Sequence, residues 1–501
     1  MENGLNKKYG LLTAICMVVG IVVGSGVFFK AQTILQKTEG NMVMGIWAWL
    51  IGGAIMLCCI AAFSIMATKY EKVNGVVDYA EATVGRKYGY VIGWFMTMIY
   101  YPTLTSVLAW LSARYTLVFL TSAFPNRITL VIPAAEGGCV IGPECMALSV
   151  FFLCAAYAVN ALSPKIAGHF QVATTIIKLI PLLLMAVVGI IVGLASDQGL
   201  LLENMANPGA ETTGNPLFGA IVATAFAYEG WIIATSINAE LKDAKRNLPI
   251  ALIAGGIIIV AIYLFYYIGV AGGATVEDLM HDGATTAYLN IFGGAFGNIL
   301  NLFVAISCMG TLNGLMLGCT RGIYAVATRG EGPHPEMFRQ VDKVTNMPNN
   351  ASILGLLLCG FWFLFFYGSN LAAFGWFGLF SFDSSELPIV TIYALYIPIY
   401  LMFMKKATDL SFTRRYLIPA LGLIGSVFMV CAAIYAHGIQ PYLAAKASGG
   451  FACPIVFYLI FFAVVLVWGL AHYKNRQADA RTPQTSAETR SPHLRKAFIT
   501  A

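Results

Sequence analysis

Three places in the chain put polar groups able to do chemistry among apolar neighbours. The first is Gly24-Ser25-Gly26, which interrupts the runs Ile21-Val22-Val23 and Val27-Phe28-Phe29. Glycine costs roughly 1 kcal/mol relative to alanine inside a helix, so two of them around a serine make a weak point. A helix opened there frees the N–H groups of residues 24–26 to meet an anion, and the positive end of the following half-helix reinforces the attraction. The carbonyls that end the preceding half, at about Ile21, Val22 and Val23, then face a cation. A zwitterion with carboxylate and ammonium on one carbon fits such a break. The same glycines admit a packing use, because Gly20 and Gly24 have the GxxxG spacing that lets membrane helices approach closely.

The second place is Thr224-Ala225-Phe226-Ala227-Tyr228-Glu229-Gly230-Trp231, an acid and a glycine halfway along an apolar run. An acid near a bilayer centre costs about 3 kcal/mol on insertion scales, so Glu229 must face a partner or a wet cavity. It is suited to titrating, to contacting a substrate ammonium, or to hydrogen-bonding nearby backbone as a structural acid. Phe226 has the shape of an aromatic gate, although most membrane phenylalanines face lipid or a neighbouring helix. The third place is Lys178, in Thr174-Thr175-Ile176-Ile177-Lys178-Leu179-Ile180-Pro181. About ten residues into its span, at about 1.5 Å per residue, it lies near mid-depth, where burial favours the neutral form. A fixed ammonium there replaces a bound sodium ion, and a titrating one couples to protons. Lys30 and Arg321 lie nearer span ends, can snorkel, and are given no role. Asp383 and Glu386 line an outer vestibule or, the reading preferred here, a solvated helix entrance.

The elements that must carry these groups are membrane helices. The 501 residues are 58% hydrophobic and 11% charged, with a mean hydropathy of +0.75, against the roughly 25% charge a soluble domain needs. Apolar runs long enough to span a bilayer repeat along the chain, and in lipid they must satisfy their own backbone as helices. We expect twelve spans, at 10–36, 43–68, 88–120, 147–162, 169–195, 215–240, 249–273, 296–328, 351–368, 374–404, 415–437 and 453–473. The segment 73–85 reads as a short interfacial or re-entrant piece. If the first ten spans are two sets of five, the sixth is the counterpart of the first. Five is odd, so the second set is inverted. Interrupted helices in corresponding positions of inverted halves point to a midplane binding site in a secondary transporter.

Charge gives the orientation. Lys and Arg crowd one set of loops, from Lys7 and Lys8 to Arg414 and Arg415, while the opposite loops hold Lys37, Arg127 and Lys446. The positive-inside rule places both termini in the cytoplasm of a multi-pass cell-membrane protein. This asymmetry accounts for the net charge of +6 without nucleic acid. The expected domains are a cytoplasmic N-terminus (1–9), a transmembrane region (10–473) and a disordered cytoplasmic tail (474–501). Repeat one covers about 10–195, repeat two about 215–404, and extra helices about 415–473. Nine of the eleven cysteines fall in or beside spans, where cysteine behaves as a small apolar residue. Cys139 and Cys145 lie in an outer loop, and sequence does not fix whether they pair. No HExxH, P-loop, GxSxG or close His/Asp cluster is present, so neither an enzyme nor a cofactor or metal is implied.

Gly24-Ser25-Gly26-Val27-Phe28, Phe226-Ala227-Tyr228-Glu229-Gly230-Trp231 and Glu240-Leu241-Lys242-Asp243-Ala244-Lys245-Arg246-Asn247-Leu248-Pro249 resemble the amino acid–polyamine–organocation superfamily. The likeness is to its L-type amino acid transporters and their bacterial relatives. Leu312-Asn313-Gly314, Arg321 and Arg329-Gly330-Glu331-Gly332-Pro333 match the pattern around the eighth span. The resemblance runs from about residue 8 to 473 and is loose over the last three spans. It implies an all-α membrane fold, a five-plus-five inverted repeat with two extra helices and discontinuous helices 1 and 6, working by alternating access. It maps the substrate carboxylate onto Gly24, Ser25 and Gly26, and the amine onto carbonyls near Val22 and Phe226, beside Ala227. Lys178 then stands in for sodium, and Asn313 lines the pocket. L-type members often carry glycine at the Glu229 position, which leaves room here for cationic substrates or proton coupling. Animal members bond a single-span partner through a cysteine of the outer third-to-fourth loop; this chain requires no accessory subunit. The implied function is sodium-independent amino acid transport, by exchange or proton coupling. An amino-acid sensor built on the same fold is a minority reading.

Overall fold

The computed structural model describes residues 10–70, 75–124, 142–162, 164–195, 200–210, 214–234, 241–342, 347–371 and 375–473. Among these residues the regular structure is helical. Helix α1 (Leu11–Val22) stops and restarts as α2 (Gly26–Lys37), the two axes meeting at 49°. There follow α3 (Met42–Tyr70), the short α4 (Val76–Thr83), α5 (Arg86–Ala123), α6 (Pro143–Leu162), α7 (His169–Ala195) and α8 (Leu200–Ala206). Next come α9 (Pro216–Ala227), α10 (Trp231–Ala234), α11 (Lys245–Ala271), α12 (Val276–Asp282), α13 (Ala284–Thr328) and α14 (Pro335–Phe338). The last four are α15 (Asn349–Leu371), α16 (Leu387–Lys406), α17 (Thr413–Ala447) and α18 (Pro454–Ala471).

Ten of these, α3, α5, α6, α7, α11, α13 and α15 to α18, are each long and apolar enough to cross a membrane. The bent pair α1–α2 makes an eleventh, and α9, at 12 residues, is apolar but too short to cross alone. Large apolar side chains such as Ile460, Val464 and Val467 on α18 and Ile424 on α17 point outward. That arrangement suits lipid and would be an aggregation hazard in water.

Several boundaries differ from the sequence reading. The tenth span begins at Leu387, not at 374, because a turn precedes it. The Asp383 carboxylate accepts from the N–H groups of Ser385 (2.7 Å) and Glu386 (3.1 Å) and from the Ser385 hydroxyl (2.6 Å). Pro388, which needs no N–H partner, then opens the helix. The eighth span starts earlier, at Ala284, and bends at Gly293, whose φ of 78° is open to glycine. The eleventh continues to Ala447. The interfacial piece becomes α4, whose Asp78 and Glu81 hold Arg329 at 2.8 and 3.0 Å.

Small residues set the closest approach. Gly189 and Gly193 on α7 lie against the backbone of Gly269 on α11 and of Gly272, which caps it, where a Cβ on either side would strike main-chain atoms. Between membrane helices such contact relies on van der Waals packing, which a side chain here would prevent. In α5 the irregularity has a sequence cause. Pro102 cannot donate to the carbonyl four residues back, and the preceding Met96–Tyr100 turn is a π-helix. The orphaned Met98 carbonyl instead accepts the Trp362 indole N–H at 2.9 Å. A Gly269→Leu variant should lower the thermal midpoint of the detergent-solubilised protein by several degrees, corresponding to an overpacking cost of about 1–3 kcal/mol. Fluorescence-detected size exclusion after heating measures it; an unchanged midpoint would mean that α7 and α11 are not packed through these glycines.

Candidate substrate site

The break in the first span is built by glycine packing against the break in the sixth. A Cβ on Gly26 would sit 2.8 Å from the Ala227 Cα and 3.1 Å from the Phe226 carbonyl oxygen. Reciprocally, Gly230 has φ +105°, and a Cβ there would lie 3.3 Å from the Ile21 carbonyl oxygen. Helix α9 ends at Ala227, turns through residues 228–230 and resumes at Trp231. The two interruptions therefore face each other through backbone, which only glycine at both points permits.

The opened groups of the first span are partly used. Val23 N–H donates to the Val19 carbonyl (2.8 Å), closing α1. The Val22 carbonyl accepts from the Tyr263 hydroxyl at 3.1 Å, and the Gly20 carbonyl accepts from the Lys178 ammonium at 2.5 Å. Lys178 is buried, and its helix departs from regularity at that residue, three before Pro181, which cannot donate to the Ile177 carbonyl. The ammonium thus caps the C-terminal end of α1, where the helix dipole favours a cation. On the other side of the break, no backbone carbonyl among the described residues accepts from Ser25 or Gly26 N–H. The Ser25 hydroxyl is buried beside the Cys308 thiol and completes no hydrogen bond there.

These groups line one cavity of about 520 Å³, in the range of small-molecule sites. Its walls include Val22, Gly24, Ser25, Gly26, Lys178, Phe226, Ala227, Glu229 and Gly230 at one end. From there it runs past Tyr101, Gly318 and Arg321 to Gly75, Tyr90, Arg329 and Glu331. That end, taken as the mouth, is lined just past the ends of α3 and α13, on the face where α1 begins. Arg86 holds Glu331 there at 2.8 Å; burial pushes the Glu331 carboxyl up, and the Arg86 hydrogen bond and charge partly offset it.

Of the ten residues assigned to the substrate and cation sites from the sequence, all but Val23 and Asn313 line the cavity. Val23 is fully buried outside its lining. Asn313 also stands outside it: its carboxamide oxygen accepts from Asn160 (2.9 Å), and its nitrogen donates to the Ala167 carbonyl (3.1 Å). Asn313 thus ties α13 to α6 and α7. Both Glu229 carboxylate oxygens are buried and complete no hydrogen bond, although the Tyr100 hydroxyl and the Gly230 amide lie beside them. Sequence reasoning missed Tyr100 and Tyr101, which line the cavity from α5. The available signal was Pro102, the residue that distorts the helix carrying them.

Two further expectations are corrected. Lys30 does not snorkel: it is 1% exposed, and its ammonium lies 2.7 Å from the Glu386 carboxylate. Glu386 is fully buried, not a solvated entrance. Lys37, on the same side of α2, reaches the other carboxylate oxygen at 2.7 Å, and His437 Nε2 lies 3.1 Å from it. Cys145 is buried at the start of α6, while Cys139 lies outside the described residues.

Residues 9–466 match the amino acid permease family model. The chain belongs to this family of amino acid permeases. It is 29% identical over 440 residues to the serine/threonine exchanger SteT of Bacillus subtilis (strain 168), covering 86% of this chain and 91% of that one. It is 25% identical over 363 residues to human Asc-type amino acid transporter 1, and 23% over 347 residues to the human cystine/glutamate transporter. Those two matches cover 71% and 69% of this permease, and 64% and 66% of the human proteins' own lengths. The relatives are transporters, so the permease is not an enzyme.

At Gly26 of this permease added volume meets backbone rather than a yielding side chain, whereas at Gly24 it meets the Thr311 side chain. Gly26→Ala should lower amino acid binding about 10- to 100-fold, the equivalent of the 1–3 kcal/mol that overpacking costs. Gly26→Val should abolish it while the protein still elutes as a single species. Normal transport by the valine variant would remove the break from the substrate site.

Proposed function

We propose that this permease exchanges small amino acids across the cell membrane by alternating access, without sodium. The observation that carries the reading is the cavity at the paired breaks. On one side of the first break are the N–H groups of Ser25 and Gly26 at the start of α2, which have no backbone partner. On the other are carbonyls at the end of α1, beside the Lys178 ammonium. A substrate carboxylate on the first set and its α-ammonium on remaining carbonyls of residues 21–22 and 226–227 would complete the hydrogen bonds that the opened backbone lacks. Lys178 occupies, as a fixed charge, the position a coupling cation would need. The similarity to a serine/threonine exchanger supports small substrates and exchange. With the basic loops in the cytoplasm, the cavity opens inward, and Lys30, Lys37 and Glu386 mark the closed outer face.

The test is uptake of labelled amino acids into proteoliposomes, with and without unlabelled amino acid inside and with sodium replaced by potassium. Exchange requires internal amino acid and is indifferent to sodium. Uptake into empty vesicles, or a strict sodium requirement, would sink the exchange or the Lys178 reading respectively.

A second reading rests on Glu229, whose buried carboxylate has only the neutral Tyr100 hydroxyl and Gly230 amide beside it and completes no hydrogen bond with either. A buried carboxylate is stable when a proton or a cation neutralises it. A proton taken up during the cycle or a cationic substrate side chain would meet that need. Glu229→Gln should then flatten the pH dependence of uptake or reduce the preference for cationic over neutral substrates by about tenfold or more, since pairing with a charge exceeds the 1.4 kcal/mol this represents. If pH profile and preference both stay as in the parent, Glu229 is structural.

A further inference from the structure

The charged cluster at the face opposite the cavity mouth belongs to no part of the substrate site, yet it touches Phe226 of the cavity wall. Lys30 and Lys37 are seven residues apart, two turns of α2, so both point to the same side. Each takes one oxygen of Glu386, the residue that opens α16, and His437 of α17 joins the second oxygen. The Ser385 hydroxyl accepts from Lys30 at 3.4 Å. The Lys30 ammonium also lies over two rings, Phe29 at 5.0 Å and Phe226 at 5.3 Å from their centroids. Phe226 lines the cavity at the last turn of α9, and its ring meets Phe29 edge-on at 6.1 Å. One buried ammonium therefore links the Phe226 ring to the carboxylate just before α16.

We infer that Lys30 and Glu386 are positioning residues for Phe226 and together form the lock that keeps this face closed. The inference rests on the alternating-access reading. Opening the face requires α2 to part from α16 and α9, and parting separates a pair whose members are 1% and 0% exposed. A buried ammonium deprived of its counter-ion is costly, so the pair resists separation in the empty carrier. Bound substrate supplies contacts that an empty carrier lacks in the closing and opening states, and only a difference in binding between states can shift such an equilibrium. The lock thereby favours exchange over net release: the empty permease rests open to the cavity side, and the loaded one crosses.

The neutral variant Glu386→Gln keeps the size of the side chain and removes the charge. It should release the ring and the helix together. Hydrogen–deuterium exchange in peptides covering residues 26–37 and 384–390 should speed up by about tenfold or more, since removal of one partner from a buried pair exceeds the free energy of a tenfold change. In proteoliposomes the ratio of net efflux into amino-acid-free buffer to exchange should rise by a similar factor. Lys30→Met should do the same, and the double variant K30M/E386Q should be no looser than E386Q alone, because no fully buried ammonium is then left without its counter-ion, Lys37 being 28% exposed and within reach of water. Unchanged protection and an unchanged efflux-to-exchange ratio in both single variants would overturn the lock. So would effects that multiply in the double variant, or loosening that extends to α7 and α11. Should Glu386→Gln fail to accumulate, Lys30→Met alone is read by the same two measurements. If the parent carries no amino acid, the exchange-protection arm still decides whether the pair holds the face closed, and it is the proposed transport that fails.

Discussion

Gly26 and Gly230 bring two interrupted helices into backbone contact, and the rest of the molecule is arranged around that contact. A helix opened inside an apolar region exposes N–H and C=O groups that lipid cannot satisfy, at several kcal/mol per group. Each opened group therefore needs a partner from elsewhere in the chain or from a ligand. Tyr263 and Lys178 supply two, on the carbonyls of Val22 and Gly20. The amides of Ser25 and Gly26 keep no backbone partner, and they face the cavity. The surrounding helices hold this geometry: α7 brings Lys178, α11 brings Tyr263, and the glycine contacts between α7 and α11 fix how close those two come.

Charge is distributed to match. Toward the cavity mouth, Arg329 joins α4 to the end of α13 through Asp78 and Glu81, and Arg86 reaches Glu331. Arg86 is 39% exposed and Arg329 24%, so water screens both contacts and each is worth little by itself. At the opposite face the Lys30–Glu386 pair is almost wholly buried, where desolvation and attraction are both large. The asymmetry between a weakly held open mouth and a strongly held closed face is what a single conformation of an alternating-access carrier would show.

Aromatic residues connect the two regions. Phe226 meets Phe29, Phe29 meets Trp110, and Trp110 meets Phe366, each pair in an edge-to-face arrangement. Arg114 stacks over Trp110 and donates to Gln32 at 2.8 Å, while Gln32 donates to the Met280 and His281 carbonyls. Rigid rings and hydrogen-bonded polar tips make α2 one body with its neighbours on this side.

The sequence by itself determined the membrane class, the helical fold, the interruption at Gly24-Ser25-Gly26 and the setting of Lys178 and Glu229 inside apolar runs. Those follow from local rules: hydrophobic length, glycine propensity, the cost of buried charge and the rise per residue. Family likeness in the same motifs reached the permease assignment. It did not reach the partners of Lys30 and Glu386, 356 positions apart, because snorkelling and solvation are decided by which helices stand alongside. Nor did it separate Asn313, which joins α13 to its neighbours, from the cavity wall beside it. Helix ends at Leu387 and Ala284 turned on an Asp383 turn and a bend at Gly293, features below the resolution of hydropathy. Periodicity along one chain states what each helix can bury, and only the tertiary packing states against what.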